Sequence, residues 1–252
     1  MALKQPYTVG AVDRAMSILE LIRDRSSMSI HELSAELGVT RSTVHRLLST
    51  MRARDFLDQD PGTRAYVLGP FFTDLGVEPA ASRQLIAVTR PHLEALRKEF
   101  DETVQLIVLA GKASHFLDGV AADRPLQTTV RIGSRLPAHA TSGGKALLAE
   151  MPDHKVRALL EDDLSALTSQ TVPTIDQLLD QLHHVRRQGY AVNDGESENG
   201  IVAYAATIKD PSGTAIGAVA LSMPSVRATA DRIPAVVSAV RRTAAAIGAE
   251  LR

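Results

Sequence analysis

Residues 29–54, SIHELSAELGVTRSTVHRLLSTMRAR, constrain this chain more than any other stretch, because their apolar spacing asks for two short helices joined at a glycine. Val44, Leu47, Leu48 and Met51 fall at i, i+3, i+4 and i+7, which predicts one buried stripe on a helix that starts near Thr40. The opposite face carries Arg41, Ser42, His45, Arg46, Ser49 and Arg52, and no carboxylate interrupts residues 41–54. Upstream, Ser29 with Glu32 three residues later is a capping-box pattern for a helix that turns Ile30, Leu33 and Leu37 inward, and Gly38 offers the left-handed position that ends it. Two helices around a glycine-containing turn make a helix-turn-helix, whose second helix presents donors to phosphate oxygens and base edges of double-stranded DNA. For these residues alone, a basic helical hairpin that is merely solvated is the alternative.

The flanks narrow that choice. Phe56-Leu57 and Tyr66-Val67-Leu68 surround a turn at Pro61-Gly62, which predicts the wing of a winged helix with Thr63 and Arg64 at or near its tip. Val12, Ala15, Ile18, Leu19 and Ile22 predict a preceding helix of about four turns. The DNA-contact candidates are therefore Arg41, Ser42, Thr43, His45 and Arg46 on the reader helix and Arg64 on the wing.

Net charge is only −1 over 252 residues, which argues against a non-specific nucleic-acid coat. Residues 1–70 hold nine Lys/Arg against eight Asp/Glu, so DNA binding would rest on a focused face rather than on bulk charge. The absence of cysteine excludes disulfides, thiol nucleophiles and Cys-ligated zinc. With neither a leader-like N-terminus nor an apolar run of about 20 residues, the expectation is a cytoplasmic protein that does not enter a membrane.

After the wing, Gly69, Pro70, Gly76 and Pro79 interrupt regular structure. Residues 71–82 thus read as a linker between a winged domain at 1–70 and a second domain at 83–252. The second domain opens with a helix through Leu85, Val88, Leu93, Leu96 and Phe100, where Pro91 marks a kink or a fresh start. Strands are predicted at 102–111, 113–120 and 126–133, helices at 142–151, 153–160 and 174–188, then a hairpin turning at Asp210-Pro211-Ser212-Gly213. A last helix, with Thr229 as its cap, buries Ile233, Val236, Val237, Val240 and Ile247. Strands and helices without strict alternation indicate an α+β domain, helices packed on an antiparallel sheet.

The second domain offers few chemical groups in a productive pattern. Gly143-Gly144-Lys145 hints at a phosphate loop, but that motif needs Gly where His139 stands and Ser or Thr where Ala146 stands. What survives is a helix start whose N–H groups at Ser142, Gly143 and Gly144 can hold a carboxylate, or which Thr141 or Ser142 simply caps. The loop Asn193 to Asn199 is acidic without the spacing of a calcium site, and its Ser197 lacks the strand-turn-helix context of a nucleophile elbow. His31-Glu32 has no second His at position 35, and His183-His184 diverge by about 100° on a helix. No catalytic residue, metal ligand or cofactor is assigned. A small-acid-converting enzyme with an accessory DNA-binding domain is kept as the alternative function.

Five segments in order, AVDRAMSILELI, RSTVHRLLSTM, RPHLEALRKEFDETVQL, LPAHATSGGKALLAEM and RRQGYAVNDGESENGI, give a chain that resembles the IclR family of bacterial transcriptional regulators over nearly its whole length. The resemblance implies a winged helix-turn-helix, a linker helix and a GAF-like effector-binding domain, assembled as a homodimer or homotetramer on a partly palindromic operator. It implies a small organic acid as effector. Carried onto this sequence, the pocket it implies falls on Ser142, Gly143, Asn193, Ile201, Ala203 and Ser222, to which the helix-start reading adds Gly144 and the neighbour of Ala203 adds Tyr204. The chain departs from the family where many members carry Cys at Ala203, Asp at Asn193 and Pro at Thr207, so no relative's effector transfers to it directly.

Overall fold

The computed structural model describes residues 9–60, 62–69, 71–72, 80–160 and 164–251, which divide into two compact units, Met1–Arg83 and Gln84–Arg252. Pro61, Pro70, Gly76 and Pro79, singled out above as chain breakers, lie outside the described residues.

In the first unit, α1 (Gly10–Arg25), α2 (Ile30–Leu37) and α3 (Arg41–Arg52) precede a hairpin of β1 (Leu57–Gln59) and β2 (Tyr66–Leu68). Ser29 and Glu32 form the reciprocal capping box, and Gly38 closes α2 at φ 62°, where a Cβ would be strained. Ile18, Ile22, Leu33, Val44, Leu48, Met51, Leu57 and Tyr66 meet in one core. Met28 joins the wing as well, exchanging both backbone bonds with Tyr66 at 3.0 and 2.8 Å. Phe56 stacks on Phe71 at 4.0 Å and meets Phe72 edge-on, which pins the chain as it leaves the wing. Val12, expected inside, is instead 54% exposed, because α1 turns its Ile18 and Ile22 edge to the other helices.

The second unit begins at Gln84 within α4 (Ala80–Phe100), which runs unbroken through Pro91 where a kink or restart was expected. Its sheet comprises β3 (Thr103–Ala110), β4 (Ala113–Val120), β5 (Arg135–Pro137), β6 (Ala191–Asp194), β7 (Ile201–Lys209) and β8 (Ala215–Pro224), in the order β5-β4-β3-β8-β7-β6 with every pair antiparallel. Helices α5 (Ser142–Leu148), α6 (Asp153–Leu160), α7 (Ile175–Gln188) and α8 (Ile233–Glu250) complete it.

Strand alternation sorts the two faces. Val202, Tyr204, Ile208, Val219 and Leu221 pack with Leu93, Leu96, Val236, Val240 and Ile247 of α4 and α8. Ala205, Ala218 and Ala220 lie on the opposite face with Leu148 of α5, Val156 and Leu160 of α6, and Leu178 and Leu182 of α7. That second face is lined with small residues, so α5 approaches closely: a Cβ on Gly143 would sit 2.9 Å from the Ile107 side chain.

Two expectations fail locally. No strand forms at 126–133, because side chains take backbone groups a ladder would need: Thr103 Oγ1 donates to Thr128 O at 2.8 Å and Arg131 N donates to Gln105 Oε1 at 2.8 Å, and a backbone bond to β4 follows at Gly133 N, which donates to Phe116 O at 2.8 Å. The edge strand forms later, at Arg135–Pro137, against β4. Thr229 does not cap the last helix; its carbonyl accepts from Arg232 N and Ile233 N, and α8 starts at Ile233 with Pro234 in the first turn, where its fixed φ suits a helix start. Among the described residues, no helix is long and apolar enough to cross a membrane.

Candidate functional site

Two surfaces carry the candidate residues, one in each unit. In the first, Thr40 caps α3 by accepting from Thr43 N, and the helix projects Arg41, Ser42, His45, Arg46 and Ser49 into solvent. Thr43 is only half-exposed, and its hydroxyl lies 3.0 Å from that of Thr40. Arg41 Nη2 donates to His31 Nδ1 at 3.0 Å, so α2 orients the first side chain of the reader helix. Sequence reasoning weighed His31 only as a metal ligand.

The wing turn is built on Asp60, whose carboxylate accepts from Gly62 N at 3.0 Å, Thr63 N at 2.6 Å and Thr63 Oγ1 at 2.8 Å. The Thr63 N–H bond, above the other causes, holds this carboxyl below the ordinary aspartate pKa. Arg64 takes φ 61° and its carbonyl is held by Gln59 Nε2 at 2.8 Å, leaving the side chain exposed. Arg41, Ser42, His45 and Arg64 thereby line one groove between α3 and the wing, with His31, Gln59 and Thr63 added to its wall. Thr43 and Arg46 lie outside that groove. Among the described residues, no Asp or Glu lines it, so the fixed charge they give it is basic.

In the second unit, a small cavity of about 40 Å³ opens between the sheet and α5. Its apolar wall is Ile107, Phe116, Leu136, Ala203 and Ala220. Its polar wall comes from Gln105 of β3, Thr128, Thr129 and Arg131 of the β4–β5 connection, Ser142 at the start of α5, Asn193 and Ser197 by the β6–β7 turn, and Ser222 of β8. Of the eight residues named from the sequence, Ser142, Gly143, Asn193, Ile201, Ala203 and Ser222 line this cavity, whereas Gly144 and Tyr204 do not.

Both exceptions have a physical reason. Gly144 faces away from the cavity, its missing Cβ pointing at Ala138 O at 2.2 Å, and its N–H is already engaged by Thr141 Oγ1 at 3.0 Å. Capping therefore accounts for that donor, and a helix as short as α5 has little dipole behind it. Tyr204 alternates with Ala203 and so faces the α4/α8 side of the sheet, where it is buried.

Asn193 is structural as well as cavity-lining. Its Nδ2 donates to Ala140 O at 3.1 Å and Ser197 Oγ at 2.6 Å, while its Oδ1 accepts from Glu196 N at 2.9 Å. The acidic loop is tied down rather than open. Glu196 binds Lys145 Nζ at 2.5 Å, and Thr171 Oγ1 donates to Glu196 O at 2.7 Å. Burial lowers the Lys145 pKa below the ordinary lysine value, against the opposing pull of Glu196. The two histidines on α7 separate as expected: His183 pairs with Asp153 at 2.8 Å, and His184 Nδ1 with Arg187 at 2.8 Å. Among the described residues, no cluster of three or more His, Cys, Asp or Glu is placed to hold a metal ion.

Residues 11–61 match the IclR helix-turn-helix domain, and residues 78–249 match the family described as bacterial transcriptional regulator IclR C-terminal. Transcriptional repressor IclR of Escherichia coli (strain K12) is 32% identical over 230 residues, which cover 89% of this chain and 84% of that protein. The HTH-type transcriptional regulator BhcR of Paracoccus denitrificans is 33% identical over 233 residues, covering 92% of this chain and 84% of that one. Among solved structures, an IclR homologue from Microbacterium hydrocarbonoxydans complexed with 4-hydroxybenzoate superposes with a TM-score of 0.64 at 25% identity, covering 96% of this chain and 99% of the other.

Proposed function

Since this chain belongs to the IclR family of bacterial transcriptional regulators, we propose that its C-terminal cavity takes up a small carboxylic acid and that occupancy changes the affinity of its N-terminal domain for an operator. It is a DNA-binding transcriptional regulator; its relatives are regulators and not enzymes. The observation that carries the effector reading is the cavity itself, which has one apolar wall and one wall of hydroxyl, amide and guanidinium groups. The relative bound to 4-hydroxybenzoate supports an acid of about that size.

In this reading residues 1–70 are the reader, residues 71–82 the linker and residues 83–252 the effector domain. Arg41, Ser42, His45 and Arg46 meet the major groove, Thr43 positions the helix start, and Arg64 reaches the backbone or minor groove from the wing. One reader helix addresses one half-site, so the regulator acts as a homodimer or homotetramer on paired half-sites about one helical turn, or a multiple, apart. An effector that binds one arrangement of the subunits better shifts their spacing and hence operator affinity. Its place of work is the cytoplasm, with the DNA it reads.

Fluorescence anisotropy on the protein's own upstream intergenic DNA, with an unrelated duplex as control and a salt series, tests this. Tighter binding to the cognate duplex, altered by at least one acid in a panel of small carboxylates that includes 4-hydroxybenzoate, is expected. Equal, steeply salt-dependent binding to both duplexes would leave only a generic basic face.

A further inference from the structure

Among the described residues, Arg131 is the one charged residue in the cavity wall, and it lies in the 126–133 segment that did not become a strand. Its backbone N–H is fixed by Gln105 Oε1 at 2.8 Å, and its guanidinium forms an ion pair with Glu198. The two partners come from different covers of the cavity, Arg131 from the β4–β5 connection and Glu198 from the turn between β6 and β7. We propose that Arg131 anchors the carboxylate of the effector, and that Glu198 is a resident anion which the effector displaces. This rests on the reading of the cavity as an acid-binding site.

The exchange is favourable for reasons of exposure. The Glu198 side chain is 53% exposed and that of Arg131 27%, and an ion pair so open to water contributes little. A ligand carboxylate would meet the same guanidinium from the cavity side, where the dielectric is lower and a charge-assisted bond is stronger. Glu198 then returns to solvent at small cost.

The competing donors are weaker or already engaged. Both hydrogens of the Asn193 amide are directed to Ala140 O and Ser197 Oγ, and the Thr128 hydroxyl is held against Ser222 Oγ at 2.8 Å. The start of α5 has its Gly144 N–H taken by Thr141. A full positive charge therefore outweighs the remaining neutral donors as the site that selects an acid over an uncharged analogue. Displacing Glu198 also unfastens the two covers from each other. The pair is thus a latch as well as a threshold, because any effector must outcompete a carboxylate the protein supplies itself.

Isothermal titration of the full chain with 4-hydroxybenzoate, and with 4-hydroxybenzamide as its uncharged analogue, tests the assignment in wild type, Arg131→Gln and Glu198→Gln. Relative to wild type, the acid is expected to bind about tenfold weaker to Arg131→Gln and several-fold tighter to Glu198→Gln, with the amide changing by less than about twofold in either. Equal acid affinity in all three proteins, with the ligand still bound, overturns Arg131 as anchor and leaves the cavity as effector site. No binding of any acid in a panel of small carboxylates, 4-hydroxybenzoate included, by wild type or by Glu198→Gln overturns the effector reading and the anchor together.

Discussion

Lys145 Nζ lies 2.5 Å from Glu196 Oε1 with both side chains enclosed, at 3% and 9% exposure, so a buried ion pair ties α5 to the loop that carries Ser197. Gln181 Oε1 accepts a second bond from the ammonium at 2.9 Å, while the second oxygen of Glu196 has no hydrogen-bond partner among the described residues. Lys145→Met would leave that carboxylate buried and uncompensated, a loss of about 3–5 kcal/mol in unfolding free energy. Lys145→Met with Glu196→Leu removes both charges and should recover most of it. Urea denaturation of the two single variants and the double variant checks this; a double variant destabilised by the sum of the singles would contradict it.

Asp118 supplies a pH dependence of defined sign. Its carboxylate is 3% exposed beneath α4, paired with Arg90 and accepting from Gly119 N at 2.9 Å, yet its second oxygen has no hydrogen-bond partner among the described residues. Burial pushes its pKa above the ordinary aspartate value, outweighing Gly119 and Arg90, which pull it down. The folded state therefore holds this proton more tightly than the unfolded chain does. The stabilisation is complete below the unfolded pKa of about 3.9 and is lost as pH rises through the higher folded value. Asp118→Asn lacks this dependence, so the stability difference should move in favour of the variant as pH rises across that window. Denaturation midpoints at a series of pH values that keep a constant difference would refute the prediction.

At the DNA surface, two arginines should behave differently. Arg46 projects from the outer face of α3, and Arg64 from the wing tip. Arg46→Ala should cost about 1–3 kcal/mol on the cognate operator and relax preference at one position, whereas Arg64→Ala should weaken cognate and unrelated duplexes alike and reduce the salt slope by about one. Anisotropy titrations on single-base operator variants separate the two outcomes. Uniform losses from both substitutions would remove Arg46 from base reading.

The winged helix was legible in local sequence, because each of its devices is a short-range pattern: the Ser29–Glu32 box, Gly38, the Val44 to Met51 stripe and the aromatic flanks of the wing. The cavity was legible only in part. Ser142, Asn193, Ala203 and Ser222 came through the family resemblance, but Gln105, Thr128 and Arg131 belong to it through long-range contacts that periodicity does not encode. The stretch 126–133 has strand-like Val130 and Ile132, yet its backbone at Thr128 and Arg131 is bonded to the Thr103 and Gln105 side chains of β3, so propensity lost to tertiary hydrogen bonding. Tyr204 is a different kind of miss. Once Ala203 is placed in the cavity, the two-residue period of a strand already puts Tyr204 on the opposite face.

Asn193 makes the sharpest test of charge in the cavity wall. Its amide donates to Ala140 O and Ser197 Oγ, and its carbonyl accepts from Glu196 N, so all three of its bonds hold the β6–β7 turn in place beside α5. In Asn193→Asp the carboxylate can still accept from Glu196 N and from the Ser197 hydroxyl, but it faces the Ala140 carbonyl without a donor. It also adds a negative charge to a wall proposed to receive an anion. Binding of 4-hydroxybenzoate should then weaken by about tenfold, the equivalent of about 1.4 kcal/mol. Binding of 4-hydroxybenzamide should change much less, because the lost amide contacts affect both ligands alike while the added charge opposes only the acid. Calorimetry showing equal or tighter binding of the acid to the variant would mean that Asn193 shapes the turn and has no part in selecting the ligand's charge.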